Sequence, residues 1–146
     1  MRHALLWLHI RLVIWAIPIM DRRLGFPDLA CRLLSVGDWP PYRQVPSADI
    51  ALMVRTALLR PRMMRRRACY RLGLATGHFL RLAGHPVELH FAVAPPDTDP
   101  ARLHGHCWVT LHGTAVTDPP PAASGMRSLL QIVIDNDGIP GVRYAR

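Results

Sequence analysis

An α+β fold is predicted for this chain, with helices in the first half and a small antiparallel sheet in the second. Three observations lead there. Apolar residues up to about position 83 recur at helical spacing, for example Ile50, Met53, Val54, Ala57 and Leu58. From Val87 the period falls to two, with Val87, Leu89, Phe91 and Val93 alternating with Glu88, His90 and Ala92. The length is 146 residues and half of them are apolar, which allows one compact core and little more.

The elements follow in order. Arg2–Ile17 has few polar breaks and predicts a helix that stops at Pro18, where the amide is missing. Its apolar stretch, Ala4–Met20, is short for a membrane span, and the residues after it offer no small-residue cleavage site. It reads as a helix that packs on the domain or on a partner protein, with membrane association disfavoured. Pro27 suits the first turn of a short helix, Pro27–Ser35, and Gly37 is placed to end it. Pro40, Pro41 and Pro46 make a loop that separates an N-terminal helical extension, 1–46, from the main domain, 47–146. Ser47 is positioned to cap a helix running to about Arg60, with Pro61 interrupting it. A further helix covers about Ala68–Ala83, closed by Gly84. The strand Val87–Val93 and a loop rich in Pro and Asp come next. His106–Thr110 and Thr114–Asp118 then read as a hairpin, and Leu129–Ile134 as a strand before the turn at 135–138.

The formal charge of +8 rests on 18 arginines and no lysine. Lysine binds phosphate well, so an arginine-only inventory argues for a solvated basic surface rather than one selected for phosphate contacts. Three cysteines, Cys31, Cys69 and Cys107, form no CxxC pair. Their odd number points to free thiols and a reducing, cytoplasmic setting.

Cys69 follows the run Arg65–Arg67 and falls in the first turn of its predicted helix. Helix N-terminal amides and nearby guanidinium groups favour thiolate over thiol, and the same amides can hold an oxyanion. The alternative is an inert cysteine in register with Leu72 and Phe79 on a core face. His106 and Asp118 extend the chemistry. A three-residue turn, Leu111-His112-Gly113, would pair Thr110 with Thr114 and set His106 opposite Asp118 on one face. A two-residue turn would set Cys107 there instead. An Asp that accepts the proton of one imidazole nitrogen leaves the other nitrogen free to serve a thiol.

The order of these parts is a helix-borne Cys69-Tyr70-Arg71, the run Phe79–Gly84, the strand Val87–Val93, then His106-Cys107-Trp108-Val109 and Asp118 twelve residues beyond the histidine. It resembles the transglutaminase-like cysteine peptidases, and within them the leader peptidases of lasso-peptide gene clusters. The resemblance runs from about Ser47 to Asp118. It implies a transglutaminase/papain-like core, Cys69 as nucleophile, His106 as base and Asp118 as the orienting acid. It also implies no cofactor, a precursor peptide as substrate, and two partners: a leader-recognition protein and an ATP-dependent lasso cyclase. The chain departs from the family pattern at Tyr70, where the family has Leu, and at Cys107 and Thr110, where it has Ala and Glu.

Other functions compete. His104, His106 and Cys107, with His85, His90 and Cys69, contain metal-ligand types but not the paired spacing of a structural zinc site. The arginines at 60–67 lack the interleaved aromatics and recognition helix of a nucleic-acid binder. A non-catalytic scaffold is the third alternative. Trp108 falls on the His106 face and is either a cleft wall or ordinary core.

Overall fold

The computed structural model describes residues 2–43, 45–59, 68–94, 105–121, 125–134 and 139–144. Four helices come first: α1 (Arg2–Leu24), α2 (Asp28–Leu34), α3 (Ser47–Leu58) and α4 (Ala68–Leu82), with a 3-10 turn at Pro40–Tyr42. Five strands follow: β1 (Glu88–Val93), β2 (Gly105–Leu111), β3 (Thr114–Ala115), β4 (Arg127–Ile134) and β5 (Pro140–Tyr144). They form one antiparallel sheet in the order β3-β2-β1-β4-β5. The predicted α+β architecture is what the chain adopts. Expectations placed on Arg60, Pro61, the arginines up to 67, His104 and the turn at 135–138 lie outside the described residues.

Several boundaries differ from the sequence reading, each for a physical reason. Pro18 does not stop the first helix, which continues to Leu24 with the proline inside it. An interior proline costs about 3 kcal/mol. Ile14 and Ile17 before it are fully buried, Met20 and Leu24 after it pack on the core, and Tyr70 Oη donates to Asp21 Oδ1 at 2.8 Å. Each buried aliphatic side chain contributes about 1.5–3 kcal/mol, enough together to offset the lost amide. Gly25 ends the helix at φ +69°, its N–H bonded to the Asp21 carbonyl at 3.0 Å. α1 is consequently long and apolar enough, by length and composition, to cross a membrane. It nonetheless buries one face in this domain.

Ser47 is the first residue of α3 and makes no capping side-chain bond, while the Pro46 carbonyl accepts from Asp49 and Ile50 N–H. Helix α2 ends at Leu34 with Ser35, not Gly37, as its cap. α4 closes as expected: Gly84 N–H bonds Arg81 O, and His85 N–H bonds Leu80 O, both at 2.9 Å. In β1 the alternation breaks at a bulge between Phe91 and Ala92, which turns Ala92 inward and leaves Phe91 half-buried. β5 was not foreseen, although a turn signal directly after a strand argues for a second strand. Its Pro140 occupies the first residue of a sheet edge, where no ladder donor is missed.

Helix α4 lies in the centre of the core, fully buried at Leu74, Ala75, Phe79 and Leu80, between the sheet and helices α1, α2 and α3. His78, on α4, is buried, and His9 of α1 is half-buried beside it. His78 Nδ1–H donates to the Leu33 carbonyl at 2.8 Å, and His9 Nδ1 meets Tyr42 Oη at 3.0 Å with its ring 5.0 Å from Phe79. Desolvation holds both imidazoles below the ordinary value of 6.5; at His78 the Leu33 bond opposes that shift and His9 adds to it. The unfolded chain therefore takes these protons at about pH 6.5 and the folded chain only at lower pH. Stability is full above that value and falls as pH drops toward the folded values. The slope reaches at most about 1.4 kcal/mol per pH unit for His78, and less for the more open His9. Thermal melts at about pH 7.5 and about pH 5 should show the loss, and His9→Phe should reduce it. Equal melting temperatures at the two pH values would remove these histidines from the acid response.

Candidate active site

The Cys69 thiol, the His106 ring and the Asp118 backbone carbonyl lie near the start of β2, the thiol on the side of the sheet that faces α4 and the ring, stacked with Trp108, on the other side. Cys69 is the second residue of α4, half-buried, and its Sγ donates to the Gly105 carbonyl at 3.6 Å. The contact is set by a stripe at i, i+4 and i+8. Four residues along a helix advance about 6 Å, nearly the step of two residues along a strand. Cys69, Gly73 and Gly77 therefore keep pace with Gly105, Cys107 and Val109. A Cβ on Gly73 would lie 2.6 Å from Cys107 Sγ, and one on Gly77 would lie 2.8 Å from Leu34 and 3.9 Å from Val109. Glycine at 73 lets α4 sit against β2, which carries the sulfur to the residue before His106, and glycine at 77 makes room for Leu34 of α2. The four-residue spacing of these glycines behind Cys69 is visible in the sequence itself.

The hairpin that brings Asp118 in differs from the expected one. Its turn has two residues, with Thr110 paired to Ala115 and Leu111 to Thr114. His112 and Gly113 are both left-handed, at φ 48° and 78°, as the tight hairpin turn requires. Histidine enters the left-handed region more readily than most side chains, so His112 and Gly113 close the turn in two residues. The register then slips. The Val109 carbonyl accepts from Val116 N–H at 2.9 Å and from Thr117 N–H at 3.5 Å, and Thr117 Oγ1 accepts from Val109 N–H at 2.9 Å. This extra residue brings Asp118 to His106 despite the shorter turn. The contacting atom is the Asp118 backbone carbonyl, to which His106 Nε2–H donates at 2.7 Å. The Asp118 carboxylate instead pairs with Arg55 of α3 at 3.2 Å. No direct bond between the Cys69 thiol and the His106 ring is made among the described residues.

Fixing the Nε2 proton on Asp118 leaves Nδ1 of His106 as the basic nitrogen. Around the ring, Trp108 stacks on His106 at 6.0 Å and on His90 at 5.0 Å, half-buried on the outer face of the sheet. It walls the site rather than filling the core. Of the other two thiols, Cys107 is buried and Cys31 is half-buried. Burial raises the Cys107 thiol, with further opposition from a charge on Cys69, and burial followed by Asp28 raises Cys31.

The three departures from the family pattern are each satisfied locally. Tyr70 uses its hydroxyl on Asp21. Cys107 fits over the bare Cα of Gly73. Thr110 Oγ1 donates to Glu88 Oε2 at 3.1 Å and accepts from His90 Nε2 at 2.9 Å. Among the described residues no group of three His, Cys, Asp or Glu side chains could hold a metal ion.

No curated protein and no solved structure matches the chain. A family model does, over residues 8–131, reaching upstream of Ser47 into α1. Its description is the transglutaminase-like superfamily, whose members are generally Cys-His-Asp hydrolases or transferases. With most of its length matched and the helix-then-sheet order in place, the chain belongs to the transglutaminase-like superfamily.

Proposed function

We propose that this protein is a cysteine peptidase that removes the leader from a lasso-peptide precursor, with Cys69 as nucleophile, His106 as general base and Asp118 as its orienting residue. The observation that carries the reading is the thiol in the first turn of α4, against the carbonyl of the residue before an imidazole whose far nitrogen is already bonded to Asp118. His106 Nδ1 takes the thiol proton once the ring and the sulfur turn toward each other. The thiolate attacks the carbonyl at the leader–core junction, and backbone amides at the start of α4 stabilise the oxyanion. His106 then protonates the departing amine, and water releases the leader from the thioester. An apolar groove of about 560 Å³ opens next to Asp118, between α3 and the hairpin, lined by Ala51, Leu52, Leu72, Leu111 and Val116. Such a groove suits an apolar side chain of an extended peptide.

A leader-recognition protein delivers the precursor in this scheme, and an ATP-dependent lasso cyclase consumes the freed core, in the cytoplasm. The test has two arms. Incubation with the precursor peptide and its leader-recognition protein should release the leader, as read by mass spectrometry. A peptidyl electrophile should modify Cys69 before Cys31 or Cys107. Labelling of Cys69 without leader release would keep the peptidase and remove the lasso substrate; preferential labelling of another thiol would remove both.

A further inference from the structure

The outward face of α1 serves neither the core nor the site. Leu6, Ile10, Ile14 and Ile17 face the domain at 0–1% exposure. Across the helix, Leu5, Leu8, Leu12, Trp15 and Ile19 stand 40–64% exposed. Their 3-4-3-4 spacing keeps them on one line about 21 Å long. The exposed charged side chains bordering that line are Arg11, Arg22 and Arg23, with Arg11 lying 4.6 Å over the Trp7 ring. The one acidic residue of α1, Asp21, is turned inward to Tyr70.

We propose that this face lies on an anionic lipid surface, with the five apolar side chains in the headgroup boundary and the arginines against lipid phosphates. Charge selects this occupant. A stripe whose exposed charged neighbours on α1 are all arginines, on a chain of net charge +8, is attracted to an anionic surface. A second copy would bring the same charge and the same arginines toward it. Burial of the opposite face sets the orientation. A spanning helix presents its whole circumference to lipid or to other spans, whereas α1 is committed along one side to this domain. The helix therefore lies in the plane of the surface, with Trp15 at the depth aromatic rings prefer.

The test is flotation of the full chain with vesicles of phosphatidylcholine alone and with vesicles containing about one third phosphatidylglycerol. The protein should float with the anionic vesicles only and detach at high salt. Leu8→Gln combined with Leu12→Gln should weaken that binding roughly tenfold or more. Both positions are exposed, so melting temperature and cleavage in solution should not change. Three results would overturn the proposal: no flotation with either vesicle, equal flotation of the double variant, or a doubled molar mass in solution that the double variant abolishes. The last would assign the stripe to a second copy. Neither leader release nor thiol labelling bears on this outcome.

Discussion

Cys69→Ala should remove peptide cleavage by about ten-thousand-fold or more while leaving the melting temperature within about 2 °C of the parent. The sulfur is half-buried at a helix end and makes one weak bond to a backbone carbonyl, so its loss opens no large cavity. Cys31→Ala should change neither quantity, and equal losses in the two variants would point to destabilisation instead. His106→Ala should be as inactive as Cys69→Ala, because nucleophile and base act as a unit. Asp118→Asn separates two ways of holding the imidazole. The carbonyl that accepts the His106 proton remains in that variant, and only the charge paired with Arg55 is removed. Its loss should be about tenfold, far below that of His106→Ala. An Asp118→Asn protein as dead as His106→Ala would show that the carboxylate swings in from Arg55 during turnover.

The second large effect is on the fold. Gly73→Ala would ordinarily help a helix interior by about 0.5–1 kcal/mol. Here the new methyl meets Cys107 Sγ at 2.6 Å with the backbone of β2 directly behind it. We expect a net loss of about 1–3 kcal/mol in urea unfolding, the usual cost of overpacking. Removing the obstructing sulfur with Cys107→Ala leaves the nearest atoms at 3.4 Å, so the double variant should recover most of that loss. The coupling between the two sites should reach about 1–2 kcal/mol with a rescuing sign. Cleavage should fall in Gly73→Ala as well, because lifting α4 from β2 takes Cys69 away from Gly105. Should Gly73→Ala stabilise the protein with Cys107 intact, the close α4–β2 approach is not what positions the thiol.

Much of this molecule could be read without coordinates, and the pattern of success is physical. α3 and α4 were legible because their apolar positions repeat at helical spacing, and Gly84 marks its own helix end through local hydrogen bonds. β1 was legible up to its bulge, where pairing with β4 overrides strict alternation. Cys69, His106 and Asp118 were singled out from order, spacing and resemblance to a family; His106 bonds the Asp118 backbone carbonyl, the Asp118 carboxylate pairs with Arg55, and Cys69 Sγ bonds the Gly105 carbonyl. The atoms that make these contacts were not legible, since a hairpin register depends on which residue accepts a left-handed turn.

Local chemistry along the chain determined the helix-then-strand order and the strongest helices, while the three residues proposed to react were singled out by the resemblance to a family. The folded arrangement decided the rest: that α1 passes through Pro18, that Asp118 offers a carbonyl while Arg55 takes its carboxylate, and that one face of α1 stays uncovered. Propensity and period depend on residues a few positions apart. A helix carried past a proline, a slipped strand and a sulfur seated by glycines depend on the packing of segments tens of residues away.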